Sequence, residues 1–196
     1  MWNDRYNTKD YIYGTSPNEF LVEYESQISP KGNVLCLADG EGRNSVFLAK
    51  LGYNVTAVDM SSNAIEKAKK LAKKNDVDVD FVHADLTEFV IVQNHWDAIV
   101  SIFCHLPLSI RKQVHKNTVS GLKSGGKILL EAYTPDQLKF KSGGPQSEDM
   151  MMSIEILRNE LSGLNFILAD ETERDVVEGL FHTGLGAVVR LIAEKP

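Results

Sequence analysis

Cysteine is scarce in this chain, with Cys36 and Cys104 the only two among 196 residues. A disulfide framework is therefore excluded as the source of stability, and so few thiols suit a reducing compartment. Basic excess is also lacking, because 27 acidic side chains outweigh 21 basic ones for a net charge of -6. A phosphate-backbone partner demands a basic face, so no nucleic-acid partner is expected. The one dense basic run, Lys67 to Lys74, falls on the polar side of a helical pattern and reads as a solvated helix face. No apolar stretch is long enough to span a bilayer, and the opening Met1-Trp2-Asn3-Asp4-Arg5-Tyr6 lacks a basic, then apolar, leader. No membrane association and a cytoplasmic location are the expectations. His-Glu-x-x-His and paired Cys-x-x-Cys are missing, so no metal site is expected. Internal repeats, low-complexity tracts and a second domain are absent as well.

What the chain does have is a stretch from Asn33 to Asp59 around which the rest is arranged. It reads as a buried strand (Val34 to Ala38), a tight turn (Asp39-Gly40-Glu41-Gly42), a helix (Arg43 to Leu51) and a second strand (Asn54 to Val58) ending on Asp59. Glycine at 40 and 42 lets the backbone bend sharply and keeps side chains away from a ligand seated at the start of the helix. A carboxylate closing the next strand, about twenty residues on, is placed to accept hydrogen bonds from a ribose diol. The pattern predicts a nucleoside-cofactor site. A dinucleotide site needs a third glycine where this chain has Ser45. Asp39 and Glu41 would repel a pyrophosphate, yet they suit a ligand bearing an ammonium and a sulfonium, such as S-adenosylmethionine.

The run Leu35-Cys36-Leu37-Ala38-Asp39-Gly40-Glu41-Gly42-Arg43-Asn44, followed by Tyr53-Asn54-Val55-Thr56-Ala57-Val58-Asp59-Met60-Ser61, resembles the class I S-adenosylmethionine-dependent methyltransferases. Its Gly-Glu-Gly-Arg-Asn version is similar to their tellurite-resistance and thiopurine methyltransferase-like branch. Two departures stand out. Cys36 replaces the leading Asp of the family's first motif, and Ala38 replaces its first Gly, which leaves Asp39 or Glu41 as substitute partners for the methionine ammonium. The resemblance implies one Rossmann-like, doubly wound α/β domain with a seven-stranded, mostly parallel sheet and an antiparallel last strand. It implies S-adenosylmethionine held by Ala38, Asp39, Gly40, Gly42, Asn44, Asp59, Met60, Asp85, Leu86 and Ile102. Asp85 would meet the adenine amino group, with Met60 and Leu86 sandwiching the ring. The acceptor would be a small molecule, the chain a monomer or homodimer, and residues 1–30 a lid over the methyltransferase domain of residues 31–196.

Elsewhere the pattern is plainer. Tyr13 to Asn18 reads as a turn and Glu19 to Ile28 as a helix; the aromatics of this segment either form the lid or merely cover the sheet edge. A helix from Ser62 carries Ala64, Ile65, Ala68, Leu71 and Ala72 on one face. Val79 to Val82 is a third strand leading to Asp85, which either serves the adenine or caps the next turn. Trp96 to Phe103 is apolar throughout, as for a central parallel strand covered on both faces. Its end opens at the carboxyl edge where such sheets bind ligands. His105 lies there and is the candidate general base, since imidazole titrates near neutrality; the competing reading is a structural histidine held by a backbone carbonyl. Asn-Pro-Pro-Tyr, carried by methyltransferases acting on base or amide nitrogens, is absent, which disfavours those acceptors. Ser109 is expected to cap a helix to Leu122, and Lys127 to Ala132 to form the fifth strand. The loop from Glu131 through Lys141-Ser142-Gly143-Gly144-Pro145 reads either as part of the active edge or as a surface connector. A helix at Met151 to Leu161, strands at Asn165 to Asp170 and Ala187 to Ala193, and a connector from Arg174 to Gly184 complete the chain. Tyr133, Gln137, Glu178 and His182 are candidates for the acceptor pocket. Two other functions remain open, an NAD-linked oxidoreductase and an S-adenosylmethionine-binding module without turnover.

Overall fold

Val and Ile runs flanked by amphipathic helices fold here into a sheet covered on both faces. The computed structural model describes residues 2–140, 142–179 and 181–196. Lys141 of the glycine-rich loop, Leu180 of the expected connector and Met1 lie outside the described residues. The strands are β1 (Asn33–Leu37), β2 (Asn54–Asp59), β3 (Asp80–His83), β4 (Trp96–Ile102), β5 (Leu122–Tyr133), β6 (Asn165–Glu178) and β7 (His182–Glu194). The helices are α1 (Trp2–Tyr6), α2 (Glu19–Tyr24), α3 (Arg43–Lys50), α4 (Ser62–Lys74), α5 (Leu108–Gly121) and α6 (Ile154–Glu160). Strand order is β3-β2-β1-β4-β5-β7-β6. The first five pair in parallel, whereas β7 is antiparallel to both β5 and β6. The expected doubly wound, seven-stranded sheet with an antiparallel last strand is thus the observed one.

Alternation along the central strands divides the core. Leu35 and Leu37 join Ile99, Ile128 and Leu130 under Val114 of α5 and Leu157 of α6. Val34 and Cys36 join Val100 and Leu129 under Phe20 and Leu21 of α2 and Leu48 of α3. Each such buried Leu, Val or Ile is worth about 1.5–3 kcal/mol, and the parallel strands have apolar side chains on both faces because both are covered.

Several boundaries differ from the sequence reading. The helix from Glu19 stops at Tyr24 and tightens into a 3-10 turn over Glu25–Gln27. Ser109 caps nothing, because α5 already begins at Leu108 behind Pro107 and has no side-chain cap. The sixth helix is shorter than Met151 to Leu161, with Ser153 as its N-cap. The largest change is the terminal hairpin. Residues Arg174 to Glu178, expected in a connector, continue β6 in register with β7 down to Glu178 opposite His182. Outward and inward positions alternate from Glu171 to Glu178, and Glu171, Glu173 and Asp175 lie outward on the edge strand, where charge discourages edge-to-edge pairing. Among the described residues no helix is long and apolar enough to cross a membrane.

Candidate active site

The turn after β1 is built as the sequence implied. Gly40 (φ 62°) and Gly42 (φ 89°) both occupy left-handed backbone, and Ala38 joins them at φ 48°. A side chain would not fit at Gly42, where a Cβ would lie 2.8 Å from the Ala68 Cβ of α4. Asp59 leaves the end of β2 7% exposed, accepting from the Gly40 N–H and the Ser61 N–H at 2.8 Å each. Those bonds fix the carboxylate under the turn, and each oxygen keeps a second lone pair for a hydroxyl donor. Met60, 51% exposed, follows Asp59 directly, and β3 runs beside it with His83 in register with Asp59. Beyond β3, Asp85 is exposed and accepts from the Thr87 N–H and hydroxyl at 2.8 Å, so it caps the next turn; those bonds hold its carboxyl below the ordinary value. Leu86 is half-buried against the core. Met60, Asp85 and Leu86 therefore share one rim of the sheet, with Gly40 and Asp59 at its centre, and Ile102 ends β4 on the same carboxyl edge.

The acidic side chains of the turn fare differently. Glu41 pairs with Lys67 of α4 and accepts from the Tyr13 N–H at 3.3 Å. Lys67 is only 8% exposed and also donates to the Asp10 carbonyl at 2.5 Å. One member of the basic run is thus buried, not solvated, and Glu41 is not free to meet a ligand cation. Asp39 accepts from the Ser45 hydroxyl at 2.5 Å and its N–H at 3.3 Å. Burial, with Asp59 nearby, pushes the Asp39 carboxyl up to about 7. Asn44 faces away from the turn, its Oδ1 accepting from the Asn18 N–H at 3.0 Å.

Over this edge lies the N-terminal segment. Asn3 accepts from the Ser61 hydroxyl at 2.7 Å at the start of α4, and the buried Tyr6 ring brings its hydroxyl to 2.9 Å from where a Gly40 Cβ would stand. Asn18 anchors the far end of the segment. Its Nδ2 donates to Glu131 at 2.9 Å and to Glu178 at 2.7 Å. Glu131 also pairs with Arg174 and with Arg190, the latter at 2.6 Å, and Glu178 with Arg43 at 2.5 Å. Sequence reasoning missed this network because its members are far apart in the chain.

At the end of β4 a set of rings gathers. Phe103 lies 4.7 Å from Tyr133 and 4.9 Å from His182, which in turn lies 4.6 Å from Tyr13. The Tyr133 hydroxyl and His182 Nδ1 are buried without hydrogen-bond partners. Burial and the nearby Arg43 push His182 down to about 3. His105 stacks on Tyr133, but both of its nitrogens are engaged. The Met150 carbonyl, 3.0 Å from Nδ1, can only accept, so Nδ1 carries the proton; Nε2 then accepts from the Tyr133 N–H at 3.3 Å. Burial pushes this ring down to about 4. Of the other pocket candidates, Gln137 pins the loop, donating to Ser142 and Gly143 at 3.0 Å, and Glu178 belongs to the ion network. Among the described residues no group of three or more His, Cys, Asp or Glu is arranged to hold a metal ion.

Residues 34–126 match a family described as a methyltransferase domain. An uncharacterized methyltransferase of Schizosaccharomyces pombe is 30% identical over 104 residues, covering 52% of this chain and 72% of that protein. The probable S-adenosyl-L-methionine-dependent methyltransferase TehB of Haemophilus influenzae is 30% identical over 133 residues, covering 67% of this chain and 44% of its own length. This chain therefore spans less than half of that relative. The crystal structure of TehB from Haemophilus influenzae superposes with a TM-score of 0.75 at 23% identity, covering 100% of this chain and 66% of that one. A structure described in work on conversion of a disulfide bond into a thioacetal group during echinomycin biosynthesis gives 0.78 at 18% identity, covering 98% and 87%.

Proposed function

Because the chain belongs to the class I S-adenosylmethionine-dependent methyltransferases, we propose that it transfers a methyl group from S-adenosylmethionine to a small-molecule acceptor at the carboxyl edge of its sheet. The observation that carries the reading is the joint placement of the Gly40 turn and Asp59, locked together by a 2.8 Å hydrogen bond beside the rim of Met60, Asp85 and Leu86. When bound, the cofactor supplies a methyl already activated by its sulfonium leaving group, so the chain's task is alignment and exclusion of water more than acid catalysis. Asp59 would accept from the ribose hydroxyls, Met60 and Leu86 would flank the purine, Asp85 would face its amino group, and Ala38, Gly42 and Ile102 would shape the walls, while Asn44 would hold the N-terminal segment through Asn18. Residues 1–30 act as a lid, which the seating of Tyr6 over Gly40 and of Asn18 in the ion network supports.

The acceptor end is walled by Phe103, Tyr133 and His182. His105, with both nitrogens engaged, serves as part of the wall in this reading and not as a base. An acceptor whose lone pair is available without removal of a proton, such as a thiolate, fits best. Titration calorimetry tests the assignment. Wild-type protein is expected to bind S-adenosylmethionine and S-adenosylhomocysteine, and Asp59→Ala to weaken both by about 1–3 kcal/mol through lost ribose hydrogen bonds. Binding of NAD with none of either adenosyl ligand would reverse the proposal in favour of an oxidoreductase.

A further inference from the structure

Arg111, in the first turn of α5, is the bulkiest side chain the fold encloses, 2% exposed. One side of its guanidinium grips Glu160 of α6, through Nε and Nη2 at 3.0 Å each, and His115 shares the same carboxylate at 2.8 Å. That pair alone would tie α5 to α6. The other side makes contacts an ion pair does not need, since Nη1 donates to the Asp149 carbonyl at 2.7 Å and to the Met151 carbonyl at 3.0 Å. The carbonyl between those two, of Met150, is the one that His105 meets with Nδ1 at 3.0 Å. His105 Nε2 then accepts from the Tyr133 N–H at 3.3 Å, and the Tyr133 carbonyl accepts from the Met152 N–H at 3.0 Å. Both backbone groups of Tyr133 are thus fixed by the segment that Arg111 fixes. The corner between β4 and α5 also needs a brace, because Phe103 stands at φ 51°, left-handed backbone that a bulky side chain rarely adopts.

We propose that Arg111 is a positioning residue for the acceptor end of the site: by holding the carbonyls on either side of Met150 it aims the third at His105, and His105 in turn sets the ring and unpartnered hydroxyl of Tyr133. The proposal rests on the S-adenosylmethionine reading above for the name of that end. A planar guanidinium presents its donors in a rigid fork, so a carboxylate on one edge and two carbonyls on another are held at a fixed separation. A carbonyl can only accept, which keeps the His105 proton on Nδ1 and leaves Nε2 to accept. The His105 ring lies 13° from parallel to that of Tyr133 with centroids 5.6 Å apart, so the tautomer of one and the tilt of the other are set together. Among the described residues the Tyr133 hydroxyl has no partner, and its ring packs against Phe103 and His182. A buried hydroxyl left open in this way is available to a bound acceptor, and its use depends on being held in one place.

The test is nuclear magnetic resonance on protein with isotope-labelled histidine and tyrosine, wild type and Arg111→Lys, without ligand. Lysine keeps a charge opposite Glu160, but one ammonium can serve the carboxylate or the carbonyls and not both. In the wild type the His105 ring is expected as the Nδ1–H tautomer with a slowly exchanging proton, and the two edges of the Tyr133 ring as separate signals. In Arg111→Lys both signatures are expected to be lost together while the fold, followed by far-UV circular dichroism, is kept. A purely structural ion pair would be restored by lysine and would leave His105 and Tyr133 unmoved, so unchanged spectra overturn the proposal. A wild-type His105 protonated on Nε2 overturns it as well. Should lysine unfold the chain, hydrogen exchange in the wild type decides. Protection of the Arg111 Nε–H and of the His105 Nδ1–H is expected to agree within about tenfold, and an Arg111 proton less protected by more than about a hundredfold overturns the relay. Titration calorimetry with S-adenosylhomocysteine separates the two readings, since failure of the wild type to bind it removes the acceptor end from the proposal whatever the spectra show.

Discussion

Replacing Asn18 by Asp exchanges one nitrogen for one oxygen at a fully buried position, 0% exposed. The asparagine has two jobs. Its Oδ1 accepts from the Leu21 N–H at 3.1 Å as the N-cap of α2, and its Nδ2 donates to Glu131 and Glu178 at 2.9 and 2.7 Å. Aspartate caps a helix as well as asparagine does, so the first job survives. The second does not, and a third acid is placed against two carboxylates that already share Arg43, Arg174 and Arg190. Each lost bond to a charged acceptor is worth about 1.5–3 kcal/mol. The introduced carboxyl recovers part of this by keeping a proton and donating to one neighbour, which leaves a net penalty of about 2–4 kcal/mol at neutral pH. Its folded-state pKa is then raised, so the penalty grows with pH above the unfolded value and is smaller at pH 5 than at pH 8. Urea unfolding of Asn18→Asp and wild type at both values, followed by far-UV circular dichroism, measures it. A penalty under about 1 kcal/mol at pH 8, or one that increases as pH falls, would refute the donor role assigned to Asn18.

Two further outcomes follow from the same turn. Lys67→Met leaves Glu41 buried without its cation and is expected to cost about 3–5 kcal/mol, most of it recovered in Lys67→Met with Glu41→Gln; equal stability of the single variant and wild type in denaturant titrations would show that the pair is not intact. For Asp39, pushed by burial from 3.8 to about 7, the folded chain holds a proton that the unfolded chain has released between those values, so its ionisation lowers stability as pH rises through that window. Without ligand, Asp39→Asn is therefore expected to gain on wild type by about 2 kcal/mol between pH 5 and pH 8, and a stability difference independent of pH in thermal unfolding would count against the shift.

The sequence was most readable where structure is local. The path from Asn33 through Gly40 to Asp59 announces strand, turn, helix and strand by residue type alone, because the glycines and the terminal carboxylate do their work within 27 positions of each other. The length of β6 was hidden by its own chemistry. Glu171, Glu173 and Asp175 alternate with inward Thr172, Arg174 and Val176, a period-2 pattern that charge on an edge strand disguises as a polar connector. Other features have no local signal. His105 is held by a carbonyl 45 residues away, and Asn18 by carboxylates 113 and 160 residues away. Lys67 could have been suspected, since it adjoins Ala64, Ala68 and Leu71 on the inward side of α4; its length lets the stem lie buried while the ammonium finds Glu41.

The anchoring of Asn18 to Glu178 has a consequence for how the molecule is made. Asn18 precedes every strand of the sheet, yet the socket it docks into is completed only by the β6–β7 hairpin. Until β6 and β7 pair, Asn18 lacks its Glu178 acceptor and Glu131 lacks its Arg174 and Arg190 partners. The segment before the first strand and the hairpin after the last helix are therefore expected to order together, each completing a charge balance that the other leaves open.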